Sequence, residues 1–389
     1  MQSFVFHAPT EIVFGKNEEQ KTAQLIKKYG GTRVFIVYGG GSIVKSGLLK
    51  KITGLLDAEG LKWHEHGGVQ PNPLLSHARE GVAKAGKFGA DFILAVGGGS
   101  SIDAAKAIAH GTANPGTDIW EFWKRRAEVT RSLPVGVVLT ISAAGSETSG
   151  SAVLTDADSG EKRGLNTDFN RPRFTVMNPE LTYTVPKYHV ACGIADIMMH
   201  TMDRYFTQQT GENEFTDAVS AALLRTVIKN APTVLAEPAN YDAVSEIMWC
   251  GSVSHNGLTG LGKPMDFSVH ALGHELGGRF DVAHGASLCT MWGSWAEYVK
   301  GADTGRRFGK YAREVWGADG ADAGIARTVE FFKSIGMPTC FTELGVGVQG
   351  EQAIDEMAAS AVFHGGRLVG NFKPLDKAAV ADVYRLANR

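Results

Sequence analysis

Apolar residues in the first half of the chain fall into short runs, each followed by an amphipathic stretch. Residues 33–38 (RVFIVY) form a β-branched apolar run that ends in Gly39-Gly40-Gly41-Ser42, and Leu48, Leu49, Ile52, Leu55 and Leu56 follow at helical spacing. The same alternation pairs residues 61–66 with the helical pattern of 72–88, and residues 91–96 with that of 101–110. Residues 135–140 and 173–177 supply two further strands, and FVFHAPTEIVF at 4–14 predicts a short β pair broken at Pro9. Repeated strand–helix alternation predicts a parallel sheet covered on both faces. Beyond Lys187 the β signal fades into helical patterns at 191–206, 213–228, 243–255, 294–299, 326–335 and 377–387. The predicted architecture is therefore an α/β domain over residues 1–186 and an all-helical domain over 187–389, parted at Pro186, where the preceding residue is biased away from helix.

Composition narrows the function classes. The 389 residues leave room for two or three domains, and Lys plus Arg (39) nearly balances Asp plus Glu (41) with no block of like charge. Nothing recommends a nucleic-acid or anionic-membrane partner. The four cysteines lie far apart without a C-x-x-C pair, so a disulfide framework is not expected and a reducing cytoplasm fits. Neither a signal peptide nor a membrane span is expected, since the longest mainly apolar stretch falls far short of ~18 residues. The 48 glycines exceed the roughly 27 that an ordinary composition would place in this length, so their positions matter.

Two glycine clusters stand at strand ends, Gly39-Gly40-Gly41-Ser42 and Gly97-Gly98-Gly99-Ser100. Glycines before a helix let backbone approach a phosphate closely while the helix N-terminus offers free N–H donors, which makes a dinucleotide site the expectation. The alternative is a pair of tight turns, since the G-x-G-x-x-G fingerprint is missing its last glycine. Asp103, on the first turn after the second cluster, is expected to point back at it and accept from a bound ribose or amide, or to act only as a helix-dipole carboxylate. Lys106 reads as a solvated helix residue.

In the second half, Asp196 and His200 are four apart on one predicted helix face, and His270, His274 and His284 follow in a compact stretch. Imidazoles plus a carboxylate suit zinc or ferrous iron. The pair His274-Glu275 does not make a zincin, because Gly278 occupies the place of the second histidine, and Ser146 lacks a G-x-S-x-G setting.

GGGSSIDAAK (97–106), AAGSETS (143–149), EKRG (161–164), NPELT (178–182), ADIMMH (195–200) and HALGHELGGRFDVAHGASL (270–288) together resemble the iron-containing (group III) alcohol dehydrogenase family over nearly the whole chain, most closely its butanol dehydrogenase-type branch of aldehyde reductases. The resemblance implies a Rossmann-like, dehydroquinate synthase-like α/β domain followed by an all-α one. It implies hydride transfer between NADP(H) or NAD(H) and an aldehyde or primary alcohol. One divalent ion, Fe2+ or Zn2+, would be held by Asp196, His200, His270 and His284, with His274 beside the substrate as the candidate proton relay. Cofactor contacts would include Gly39, Gly40, Gly41, Ser42, Gly98, Gly99, Ser100, Asp103, Thr140, Lys162 and Leu181. A homodimer is implied as well. Two residues depart from the family pattern: Ala144 replaces a threonine that contacts the cofactor, and Asn178 replaces the aspartate of DPELT.

After residues 33–38 no acid appears until Asp57, while Ser42 and Lys45 can meet a 2′-phosphate, so NADP(H) is expected over NAD(H). Trp249, Trp292 and Trp295 are candidates either to wall the substrate site or to fill the core. Rival readings are a glycerol dehydrogenase- or dehydroquinate synthase-like enzyme of the same fold, the latter needing a basic cluster near the metal motifs that the chain lacks, and a non-catalytic nucleotide-binding protein.

Overall fold

The apolar runs of the first half become strands: β1 (Glu11–Phe14), β2 (Arg33–Gly39), β3 (Lys62–Val69), β4 (Phe92–Gly97), β5 (Val135–Leu139), β6 (Ser151–Asp156), β7 (Glu161–Asn166) and β8 (Phe174–Met177). The computed structural model describes residues 1–208, 212–304 and 306–389. Its chain divides into two units, one of His7–Thr184 and one of Met1–Phe6 with Val185–Arg389.

In the first unit, six strands form one parallel sheet in the order β1-β8-β5-β4-β2-β3. Every residue of β4, β5 and β8 is buried, which explains why they read as unbroken apolar runs rather than as alternation. From β2 the chain steps outward to β3, then crosses back over β2 to β4 and continues the other way to β5. The strand order therefore reverses between β2 and β4, and the crevice at the carboxyl ends of such a pair is where open α/β sheets bind ligands. Both glycine clusters stand there, because Tyr38 of β2 is paired with Val96 of β4.

The expected β pair at 4–14 is corrected. Only Glu11–Phe14 is a strand, and its partner is β8, distant in sequence. Residues 1–6 belong with the second unit, where the Gln2 N–H donates to Gly262 O (2.9 Å). Pro9 has no N–H for a ladder, and a local hairpin gives way to a parallel pairing only the tertiary fold can supply. The antiparallel hairpin β6–β7 was not anticipated; its turn is closed by Asp156, whose Oδ2 accepts from Ser159 Oγ (2.8 Å), and by Gly160 at φ 69°.

The second unit is helical. Its helices include Lys187–Tyr205, Glu214–Ala236, Tyr241–His255, Ser268–Phe280, His284–Val299, Ala321–Ser334, Glu351–Ala361 and Lys377–Ala387. The apolar pattern omits two of these, Ser268–Phe280 and Glu351–Ala361, and begins the His284–Val299 helix ten residues late, because its first turns, HGASL, are small and polar. Trp292 and Trp295 are core residues, packed with Phe206, Phe308 and Tyr311, while Trp249 is exposed. No helix among the described residues is long and apolar enough to cross a membrane.

Candidate functional site

Three helices of the second unit bring its acid and histidines together. Asp196 and His200 lie one turn apart on Lys187–Tyr205, His270 and His274 one turn apart on Ser268–Phe280, and His284 opens His284–Val299. Asp196 Oδ1 is the hub: His200 Nε2 stands 3.4 Å from it, His270 Nε2 3.6 Å and His284 Nε2 3.8 Å. These separations exceed hydrogen-bonding distance, and both Asp196 Oδ1 and His270 Nε2 are buried without a hydrogen-bond partner. A buried carboxylate oxygen facing several imidazole nitrogens is costly unless a cation lies among them. Among the described residues, Asp196, His270 and His284 form the one group of three or more His, Cys, Asp or Glu side chains whose ligand atoms lie within 4.8 Å of one another. The donor set fits a divalent ion of borderline softness.

The protonation of His200 suits a metal ligand. Burial, helped by the neighbouring rings of His255 and His270, pushes His200 well below its ordinary value of 6.5, so it is a neutral imidazole, the form that ligates metal. His270 differs: burial lowers it, but Asp196 and Asp203 outweigh that and hold it above 6.5. Its Nδ1 donates to Asp203 Oδ2 at 2.6 Å, which turns Nε2 toward Asp196. The start of this helix is fixed by Asp266, whose carboxylate accepts from the N–H groups of Ser268 (2.9 Å), Asn371 (2.7 Å) and Phe372 (2.6 Å).

His284 reaches Asp196 because two helices touch backbone to backbone. A Cβ on Gly285 would stand 2.1 Å from Cys192 O, one turn before Asp196 on its helix. His274 is half-buried, its ring 5.2 Å from that of His284 and edge-on to His270 at 6.2 Å.

Sequence reasoning missed Asp203 and His255. Asp203 was legible, since 196, 200 and 203 share one helix face. His255 was not: it ends the Tyr241–His255 helix far away in sequence, yet its ring lies 4.0 Å from that of His200.

In the first unit the carboxyl ends of β2, β4 and β5 carry Gly39 to Ser42, Gly97 to Ser100 and Thr140. Gly98 is required by packing, for a Cβ there would lie 2.1 Å from Ile141 Cγ2. The Thr140 N–H donates to Gly97 O (3.1 Å), tying the two turns together. Lys162, on β7, donates to Asn72 Oδ1 (2.9 Å), and Leu181 packs at the edge of the sheet's core. Asp103 is held by its own unit: Oδ1 accepts from Ser146 Oγ (2.6 Å) and Oδ2 from the Val153 N–H (2.9 Å).

The expectation for Lys106 is overturned. It is not solvated but 0% exposed, and its ammonium donates to Ser146 O (2.8 Å), Ser146 Oγ (2.8 Å), Ser149 O (3.3 Å) and Ser151 O (2.7 Å). Its helix, Gly99–Ala113, is buried nearly all round, so a position that reads as a charged face meets a loop instead. Asn178 also has a local reason. Its Nδ2 donates to the buried Glu19 (2.9 Å), where an aspartate would set two carboxylates against each other.

Comparison with known proteins shows the family. The model of the iron-containing alcohol dehydrogenases matches residues 9–179, and that of the family's C-terminal region matches residues 190–388. The chain is 37% identical to NADH-dependent butanol dehydrogenase A of Clostridium acetobutylicum over 99% of each chain. It is 36% identical to the NADPH-dependent aldehyde reductase YqhD of Escherichia coli over 89% of this chain and 90% of that one. The crystal structure of NADH-dependent butanol dehydrogenase A from Thermotoga maritima superimposes with a TM-score of 0.95 at 31% identity, covering 100% of this chain and 99% of the other. The chain therefore belongs to the iron-containing alcohol dehydrogenase family and is a metal-containing, NAD(P)-dependent oxidoreductase.

Proposed function

We propose that this enzyme reduces aldehydes to primary alcohols, with NADPH in preference to NADH, at one divalent ion, Fe2+ or Zn2+, held by Asp196, His200, His270 and His284. The observation that carries the reading is the convergence of three imidazoles on a buried Asp196 oxygen that has no hydrogen-bond partner. When bound, the ion supplies Lewis acidity toward the substrate oxygen and the nicotinamide supplies the hydride. The protein's own residues do the rest. Asp203 holds the His270 ring in the orientation that presents Nε2. Asp196 brings the one formal negative charge. His274, half-buried with its ring 5.2 Å from that of His284, would hand a proton to the substrate oxygen on reduction and receive it in the reverse direction.

For the dinucleotide, we propose the pyrophosphate at Gly98, Gly99, Ser100 and the N-terminus of the Gly99–Ala113 helix, since the N–H groups and dipole of a helix's first turn favour an anion. The adenosine end falls to Gly39, Gly40, Gly41 and Ser42, with Asp103, Thr140, Lys162 and Leu181 as further contacts by family likeness. The preference for NADPH rests on the turn after β2, where Gly39 to Ser42 offer small residues and a hydroxyl and no acid follows in sequence before Asp57. Relatives' names divide on this point: four butanol dehydrogenases at 32–37% identity are named NADH-dependent and the aldehyde reductase YqhD, at 36%, NADPH-dependent, so the proposed preference rests on the residues after β2. A homodimer working in the cytoplasm on small aldehydes completes the reading.

The test is turnover of butanal with NADPH, with and without chelator, beside elemental analysis of His284→Ala. Loss of both metal and turnover in the variant is expected. A His284→Ala protein that holds stoichiometric metal and reduces butanal overturns the assignment.

A further inference from the structure

Lys106 is a buried cation for which neither the metal nor the substrate chemistry has a use. Burying a lysine is costly, so its position must be held by what it bonds. Its ammonium meets the carbonyls of Ser146, Ser149 and Ser151 and the Ser146 hydroxyl. Ser146 and Ser149 lie in the loop between β5 and β6, and Ser151 opens β6. Arg171 Nη1 donates to a third carbonyl of that loop, Thr148 O, at 3.0 Å. Asp103, one turn before Lys106 on the same helix, holds the loop through Ser146 Oγ and β6 through the Val153 N–H. The helix thus clasps one loop with two side chains of opposite charge. That loop flanks the second glycine turn: a Cβ on Gly99 would lie 3.2 Å from the Ala144 Cβ, and one on Gly98 would strike Ile141. Turn bonds from the Thr148 N–H to Gly145 O (3.2 Å) and from the Ser149 N–H to Ser146 O (3.3 Å) shape the loop locally, and the Lys106 ammonium ties it to the helix that opens at the glycine turn.

We propose that Lys106 is a positioning residue for the dinucleotide, holding the 144–151 loop in the conformation that completes the glycine-turn site. The proposal rests on the reading that Gly98 to Ser100 receive the pyrophosphate. Lys106 touches no ligand; it acts through the loop. Replacing the ammonium by an isosteric apolar chain leaves three carbonyls without their donor and lets the loop relax.

The experiment measures NADPH and NADH dissociation constants by nicotinamide fluorescence, with metal content and kcat at saturating cofactor, for Lys106→Met, Ser146→Ala and Ser100→Asp. Lys106→Met should weaken both dinucleotides by ~10-fold or more and by equal factors, with metal stoichiometry intact and kcat at saturation within a few-fold. Ser146→Ala, a gentler cut that removes one hydroxyl shared by Lys106 and Asp103, should weaken them ~2- to 5-fold and keeps the proposal testable where Lys106→Met does not fold. Ser100→Asp sets a negative charge at the helix N-terminus and should weaken binding strongly. Unchanged affinity in Lys106→Met or, where that protein does not fold, in Ser146→Ala, with weakened affinity in Ser100→Asp, overturns the Lys106 proposal alone. Unchanged affinity in Ser100→Asp overturns the pyrophosphate assignment on which it rests.

Discussion

Replacing Gly285 by alanine adds one methyl group at the point where the His284–Val299 helix meets the Lys187–Tyr205 helix. That carbon would lie 2.1 Å from Cys192 O and 2.7 Å from its C and Cα, all backbone atoms that no rotamer change can move. Reaching an ordinary carbon–oxygen separation of ~3.3 Å requires the two helices to part by about 1.2 Å at this crossing. His284 is the preceding residue, and its Nε2 stands 3.8 Å from Asp196 Oδ1. Metal–ligand distances tolerate only ~0.2 Å, so the displacement takes His284 out of range and leaves the site short of a ligand. We expect metal affinity to fall by about 100-fold, equivalent to ~2.7 kcal/mol, and the metal-free protein to lose ~1–3 kcal/mol to overpacking. Zinc titration against a chromophoric chelator reads the first, and urea unfolding of the apoprotein reads the second. Gly278→Ala is the internal control, because nothing lies within 4 Å of a Cβ there. Metal binding by Gly285→Ala as tight as by Gly278→Ala would refute the claim that this helix contact sets the ligand geometry.

Three further outcomes are expected. His274→Ala should keep its metal while aldehyde reduction slows by ~10²–10⁴, and metal loss in that variant would make His274 a ligand instead. The native enzyme should favour NADPH by ~10-fold or more in kcat/KM, a difference of ~1.4 kcal/mol, and Gly39→Asp should abolish or reverse it; parallel kinetics with both cofactors decide, and equal efficiency with NADH counts against the loop reading. A Cβ at Gly39 meets its nearest neighbour, Val69 O, at 3.4 Å, so the variant is accommodated. His110 is buried between Ser132 and Asn170, and burial brings it down from 6.5 to about 4. Its folded value lies below its unfolded one, so its contribution is complete above pH 6.5 and is lost as pH falls toward 4, at most ~3 kcal/mol. His110→Gln cannot titrate, and its urea midpoint should fall less than the native one between pH 7 and 4.5; equal falls would show that His110 does not uptake a proton on unfolding.

The sequence determined what depends on neighbours along the chain. Strands β2, β4, β5 and β8 were legible because a sheet buried on both faces demands apolar runs, and the helical second half because its apolar residues recur at helical spacing. Asp196 with His200 was legible as a pair one helical turn apart, and His270, His274 and His284 as one compact stretch. The six ordered motifs carried the family. What the tertiary structure decided is which distant segments meet. The partner of β1 is 163 residues away in register, Glu11 against Phe174, and no local pattern encodes that. Lys106 reads as a surface lysine because charge on a helix normally faces water, and only the loop folded over it reveals otherwise. Asp203 against His270, His255 against His200 and Gly285 against Cys192 each join helices whose order along the chain is silent about their crossing. Periodicity fixes the direction of a side chain relative to its own helix; what lies in that direction is settled by how the helices pack.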